Sequence, residues 1–388
     1  MASCRLPCAR VRRMLDMRTA LRSSVAQSIP LAVLVAAFLA AAMLPTSASE
    51  PQSRLSPDND IFDVVPLGLK FLWRAELGRV ADKRIEAVYA AGQLVVAETP
   101  EGQTHVLDAE TGRWKMAKNF RRGLDRPPGS SAQTLFLVSR NYVFSLDVAA
   151  NSMTDGYSPG FVVSTAPIGY GSNALLAGGN GHLALVAPAT GDNIWTVSLN
   201  GPIWEKPVLE DDRLFAAARD AGCVDVLTGQ ELWRWEPQPP ARLTTGVAVD
   251  DNLLCVGDNR GTMYALDNRF GGLRWTKALD AIPIGTPVVA DGYLLVPTAR
   301  PSVIAVRIAD DPQISWTHEG AKTVLTVGDH KAYLLNEDNS IAAIDVQKGA
   351  ELWRDPLPAD CLVAGDAERP VLYVADEDGS VAAFQELD

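Results

Sequence analysis

The sequence predicts an all-β chain: eight four-stranded antiparallel blades arranged in a ring as a β-propeller and closed by the N-terminal strand. Three observations carry this. An Asp and a Gly four residues apart, with a Trp four further on, recur at Asp225, Gly229 and Trp233, at Asp267, Gly271 and Trp275, and at Asp345, Gly349 and Trp353. Candidate anchors Trp73, Trp114, Met153, Trp195, Trp233, Trp275, Trp316 and Trp353 are separated by 41, 39, 42, 38, 42, 41 and 37 residues, a period that fits one propeller blade of about 40 residues. The apolar runs between anchors are short, alternating, rich in Val, Leu, Ala and Tyr, and bounded by Gly, Asp and Asn. That pattern marks strands and sets the chain apart from helical arrays of similar period.

In chain order, residues 1–48 carry six Arg and one Asp ahead of an uncharged run from Ile29 to Leu44. They read as an export signal or signal anchor, with Thr46, Ser47 and Ala48 as small residues for cleavage. The run is 16 residues long, short of the roughly 20 that a membrane span needs. No Cys follows it, so a lipid-attachment box is not expected. The positive region is longer than usual for a signal, and Met14 or Met17 would make a more ordinary start than Met1. Residues 49–65 are polar and rich in Pro and Ser, a linker composition.

The propeller then spans 66–388. It opens on a lone strand, 68–77, carrying Trp73, with no preceding strands of its own. Groups of three strands follow at 85–108, 132–147, 163–187, 207–226, 245–267, 287–306, 323–345 and 361–384. The last group lacks a fourth strand, and the lone strand supplies it. Pairing the two closes the ring and removes two open sheet edges. The count is eight blades. Seven is the alternative, because the second group has no Trp and could be an insertion.

The repeated residues are structural first. A Trp at one fixed place per blade fills the wedge between neighbouring sheets and can place its N–H on a backbone carbonyl. Asp108, Asp225, Asp267 and Asp345 suit turns in which the carboxylate bonds local N–H groups, and Gly229, Gly271 and Gly349 supply positive φ. In the first blade Trp114 falls two residues after Gly112 rather than four, which leaves Trp114 and Met116 as alternatives for the docking position.

The stretch Ala265, Asp267, Gly271, Trp275 and its copy Ala343, Asp345, Gly349, Trp353 resemble the quinoprotein-type (PQQ-like) propeller repeat, a likeness that extends over 66–388. That family has two branches. Quinone-dependent dehydrogenases hold pyrroloquinoline quinone and Ca²⁺ in the central funnel, and alcohol-oxidising members carry a vicinal Cys pair. The non-catalytic BamB-like branch comprises eight-bladed subunits of outer-membrane assembly. This chain has no adjacent cysteines and no Glu/Asn/Asp set that maps onto metal ligands, so it looks like the second branch, except that the lipobox Cys is missing. The resemblance implies no cofactor and no metal.

Composition agrees. Net charge is −12, and after the +5 of the first 48 residues is removed the remainder carries −17, a balance unsuited to nucleic acid or an anionic membrane surface. Membrane contact is expected only through the N-terminal segment, if it is retained. Cys223, Cys255 and Cys361 sit in apolar runs and read as buried thiols. The four His are scattered, and no Ser/His/Asp grouping or phosphate-binding loop is present. Acidic stretches such as 258–261, 336–339 and 376–379 lack the ligand spacing of a calcium loop and read as turns.

Candidate partner-binding residues lie in the loops that leave each Trp strand. Arg121, Arg122 and Arg126 make a basic loop in an acidic protein, and Trp204 with Glu205 places a second Trp outside the docking register. Arg and Trp are favoured anchors of protein contacts. The reading is a non-catalytic exported propeller, periplasmic or envelope-associated, that acts as a protein-interaction scaffold. The resemblance implies outer-membrane protein assembly as its process. The alternative is a quinone-dependent dehydrogenase-like or other enzyme using the central funnel.

Overall fold

The computed structural model describes residues 68–77, 84–132, 134–358, 361–366, 369–376 and 378–386. The export signal and the linker read at 1–48 and 49–65 lie outside the described residues. Strands assemble into eight four-stranded antiparallel sheets, each a chain-order meander except the last. Blades 1 to 7 span 87–119, 126–153, 168–198, 208–235, 248–278, 288–319 and 321–356. Blade 8 takes three strands from 362–386 and its fourth from Leu69–Glu76. The eight-blade expectation and its N-terminal closure hold, and the seven-blade alternative falls. Residues 126–153 form a sheet of their own, although its outer strand is only Ser152–Met153.

Closure is a full strand pairing. Leu69 faces Glu386, Trp73 faces Ala383 and Glu76 faces Ser380, with one register shift between Phe71 and Trp73. The second and third strands of the blades are near-continuous apolar runs whose successive side chains point to opposite faces, so both sheet faces are buried against neighbours and the core divides into eight clusters, one per seam between blades. Leu94, Leu107, Leu135, Leu137 and Tyr333 are among its fully buried side chains.

The anchors lock each blade to the next. Trp73 donates its indole N–H to Ala109 O at 3.0 Å, Trp195 to Val226 O at 2.7 Å, Trp233 to Asn268 O at 2.9 Å and Trp316 to Val346 O at 2.7 Å. Each acceptor directly follows the Asp of the next blade's turn. The turn is built as expected: Asp225 takes the Thr228 amide at 2.8 Å and its hydroxyl at 2.7 Å, and Gly229 N–H closes on Asp225 O at 2.8 Å. Gly229, at φ 72°, lies under Trp195, and a Cβ there would stand 2.6 Å from the indole. Glycine is required for that close approach as well as for the positive φ. Gly271 under Trp233 and Gly349 under Trp316 repeat the arrangement.

Three anchors depart from expectation. Trp114 is 58% exposed, while Met116 is buried opposite Val106. A one-residue bulge at Lys115 puts Met116 in docking register and turns Trp114 out, where other blades place Glu231 or Leu273. Met153 is also exposed and is no anchor. The chain leaves the sheet there and returns to bridge Val143 at Tyr157, whose ring lies over Gly191. Trp275 is buried in register, but its indole N–H has no partner. Blade 6 has Arg307 and Asp311 where the turns of blades 1, 4, 5 and 7 have Asp and Gly, so the acceptor geometry is not formed there.

This difference gives a direct test. Trp233→Phe strips a hydrogen bond from a buried carbonyl, whereas Trp275→Phe removes an N–H that is already unsatisfied. Chemical denaturation should show Trp233→Phe the more destabilising by about 1 kcal/mol. Equal losses would mean the indole N–H bonds contribute nothing to docking.

Candidate functional site

Backbone bonds tie the connection leaving each outer strand to the turn between second and third strands: Phe120 N–H to Gly102 O at 2.7 Å, Leu199 to Gly181 at 3.0 Å and Leu279 to Gly261 at 2.7 Å. These segments therefore form one face of the ring, and the candidate residues sit on it in two separate places.

The first place is the loop between blades 1 and 2. Arg121 and Arg122 are exposed. Arg126 is half-buried and turned inward, with its guanidinium on Val163 O at 3.3 Å and Asp125 O at 3.0 Å, so it braces the loop against blade 3. Arg122 borders a 290 Å³ cavity that also meets Glu86, Tyr89 and Glu98. Glu98 accepts the Leu124 amide at 2.8 Å and holds this loop in place. Burial pushes its carboxyl above the usual range.

The second place centres on Trp204, which is 66% exposed, with its indole edge over Gly179 at 3.8 Å from where a Cβ would be. Glu205 is half-buried, accepts the Thr286 hydroxyl at 3.2 Å, and is raised by burial. Trp204 and Glu205 border a 230 Å³ cavity together with Arg219 and Arg242. A 580 Å³ groove walled by Asn200, Glu236, Pro239 and Pro240 adjoins it across the same two arginines. Both arginines are exposed, and neither pairs with a carboxylate among the described residues. Val162, whose carbonyl takes the Gly179 amide, is 66% exposed and extends the apolar surface beside Trp204.

The repeat shows why this corner differs. Val163, Leu243 and Pro283 make equivalent bridges to Gly178, Asp258 and Thr298, and Ile203 stands 40 residues after Val163 and 40 before Leu243. The residue after each is Ser164, Trp204, Thr244 and Ile284. Ser164 donates its hydroxyl to Ile203 O at 2.5 Å and Thr244 to Pro283 O at 2.9 Å, a bond from one blade to the next. At Trp204 that bond is given up and a large aromatic side chain faces solvent. Arg219, Arg242 and Val162 escaped sequence reasoning because nothing in their local spacing marks them; aligning the blades on the 40-residue step would have found them.

A 580 Å³ cavity along the inner strands is lined chiefly by Ala, Gly and Pro, with Lys206 and Asp366 as its charged residues among those described. Asp366 is engaged by Arg369 at 2.7 Å. Among the described residues, no three His, Cys, Asp or Glu are grouped to hold a metal. A polyanionic quinone with its cation needs several fixed charges and oxygen ligands, and this lining does not fit one. Burial pushes the Cys223 and Cys255 thiols up to about 12, so neither is a nucleophile.

Comparison with known proteins places these features. A family model described as outer membrane protein assembly factor BamB matches residues 221–360. The outer membrane protein assembly factor BamB of Shewanella oneidensis is 23% identical over 247 residues, 56% of this chain and 62% of that protein. That of Burkholderia pseudomallei is 25% identical over 177 residues, 42% of this chain and 45% of the other. The chain thus spans about half the length of the curated relatives it matches. A quinohemoprotein alcohol dehydrogenase from Pseudomonas putida aligns with a TM-score of 0.57 at 10% identity, over 83% of this chain and 77% of that one, a likeness of fold alone. The resemblance to PQQ-like, BamB-like propeller repeats read from the sequence is upheld.

Proposed function

We propose that this chain is a non-catalytic scaffold of the cell envelope that docks a protein partner on the Trp204 corner of its loop face and works in outer-membrane protein assembly. The observation that carries the reading is Trp204: the repeat spends this position on a blade-to-blade hydrogen bond at Ser164 and Thr244, and here presents an exposed indole that shares a cavity with two arginines. Aromatic and Arg side chains at the rim of a cavity are the usual centres of protein contacts. The matches to assembly factors support the process, and the N-terminal signal read from the sequence supports the compartment. Export, periplasmic residence and the absence of catalysis belong to this proposal.

Trp204→Ala should leave the unfolding free energy within about 0.5 kcal/mol of the parent, as surface substitutions do. Cross-linking and pull-down from envelope extracts should recover an outer-membrane assembly component with the parent chain and at least tenfold less with the variant. Recovery unchanged by the substitution would remove Trp204 from the interface. Dye reduction with alcohols or sugars after addition of quinone and Ca²⁺ would replace the scaffold reading with an enzyme.

A further inference from the structure

His105 is 4% exposed, and neither ring nitrogen has a hydrogen-bond partner. It lies on the third strand of blade 1, between Ala97 and Ala117 on the flanking strands. Ala97 and Leu107, on the same strand face, pack against Trp73, Tyr373, Ala375, Val381 and Ala383 of blade 8. The imidazole is therefore sealed in the seam beside the closing strand. The fold does not ask for a polar group here. The residues one step before the docking partner in other third strands are Ala184, Gly222, Tyr264, Ile304, Ala342 and Ala382, and where a hydroxyl occurs, on Tyr264, it is bonded to Asp258 at 2.7 Å.

A neutral imidazole without partners is tolerated in such a place, whereas an imidazolium needs two acceptors or water. We propose that His105 makes the seam between blades 8 and 1 acid-labile: the ring is firmly closed while the imidazole is neutral, and protonation loosens the contact with the closing strand. Among the described residues no charge offsets this: in the same seam Arg369 is held by Asp366 at 2.7 Å and by the Tyr373 hydroxyl at 3.1 Å. On the closing strand, Arg74 donates to the Ser380 hydroxyl at 3.0 Å and Glu76 is the other ionisable group toward the same end. At the blade 8 turn Asp376 takes the Ser380 amide at 2.7 Å, beside Asp378. On blade 1, Glu98 and Lys118 both pair with Thr104, on the face turned to blade 2. Burial alone lowers the affinity of His105 for a proton, with no charged neighbour contributing.

The sign follows. Because the folded ring binds the proton less readily than the unfolded chain, the stability due to neutral His105 is complete above the unfolded value of about 6.5 and is lost as pH falls below it. Each pH unit lowers the folded-to-unfolded ratio by about tenfold until the buried ring itself takes the proton. The Asp108, Asp225, Asp267, Asp338, Asp345 and Glu351 carboxyls, held down by hydrogen bonds, also lose stability in acid, but only below the ordinary carboxylate range and so below the window of His105. Groups shifted upward act in the opposite sense. His330 is held up by Asp291, and the Glu98, Glu205, Asp220 and Asp376 carboxyls are raised by burial, so acid favours their folded forms.

The experiment is denaturant unfolding of the full chain from pH 8 to pH 5, compared with His105→Ala and His105→Ile, the residues that blades 3 and 6 carry. The parent should lose roughly tenfold in folding equilibrium per pH unit below about 6.5 relative to both variants, with hydrogen-exchange protection falling in strands 69–76 and 380–386. NMR titration of the parent's imidazole gives an arm that does not depend on the variants folding, and the ring should take its proton below the ordinary imidazole range. The same acid slope in parent and variants, or an imidazole that titrates near 6.5, would overturn the proposal.

Discussion

A chain shortened to begin at residue 79 is expected to aggregate or to melt far below the parent, whereas one beginning at residue 66 should melt at the parent's temperature and remain monomeric. The longer deletion removes Leu69–Glu76, the strand that completes blade 8. Its seven paired positions run from Leu69 against Glu386 to Glu76 against Ser380, so the 380–386 strand would be left with an open row of N–H and C=O groups. Such an edge recruits other chains. Leu69 and Trp73 are buried there, at about 1.5–3 kcal/mol for each large apolar side chain. Trp73 also carries the N–H bond to Ala109 O, so the 8–1 seam loses its dock as well. Differential scanning and gel filtration of both chains decide the matter. Equal melting temperatures with both chains monomeric would show that this strand is not the clasp.

The second large effect separates two tryptophans that the sequence placed in one class. Trp233→Ala should cost about 3–5 kcal/mol, the usual range for emptying a large buried site. Its ring lies over Gly271, faces Phe215 at 6.1 Å between centroids, and bonds Asn268 O. Trp114→Ala should cost no more than about 0.5 kcal/mol, because the ring is mostly in solvent. Urea unfolding of the two variants, side by side, measures this. A comparable loss at Trp114 would mean that the bulge at Lys115 does not hold in solution and that Met116 is not the docking residue.

The blade count, the closing strand, and the turns at Asp225, Asp267 and Asp345 were legible because each is written in local spacing repeated along the chain. At Asp225, Asp267 and Asp345 the Asp four residues before a Gly builds the same turn, since the carboxylate takes the amide three residues on each time. The errors came where one residue of register changes a side chain's face. Trp114 and Met116 are two apart, and the intervening bulge decides which of them is inside. At Met153 the outer strand ends after two residues, so the docking ring comes from Tyr157.

By itself, then, the sequence determined the repeat, the all-β class, the direction of ring closure and the identity of most wedge residues. These follow from periodicity and from backbone rules that act over a few residues. Tertiary structure alone decided the rest. It showed that Trp73, Trp195, Trp233 and Trp316 dock on the Gly of the following blade and not their own, that Trp275 docks without its hydrogen bond, and that Arg126 braces a loop. It also gathered Trp204, Arg219 and Arg242 around one cavity, and it sealed His105 without a partner in the closing seam. All of these are contacts between residues roughly 15 to 280 apart in the chain. Sequence spacing fixes where a strand turns, but which side chains meet across a seam depends on twist, bulge and ring closure acting together.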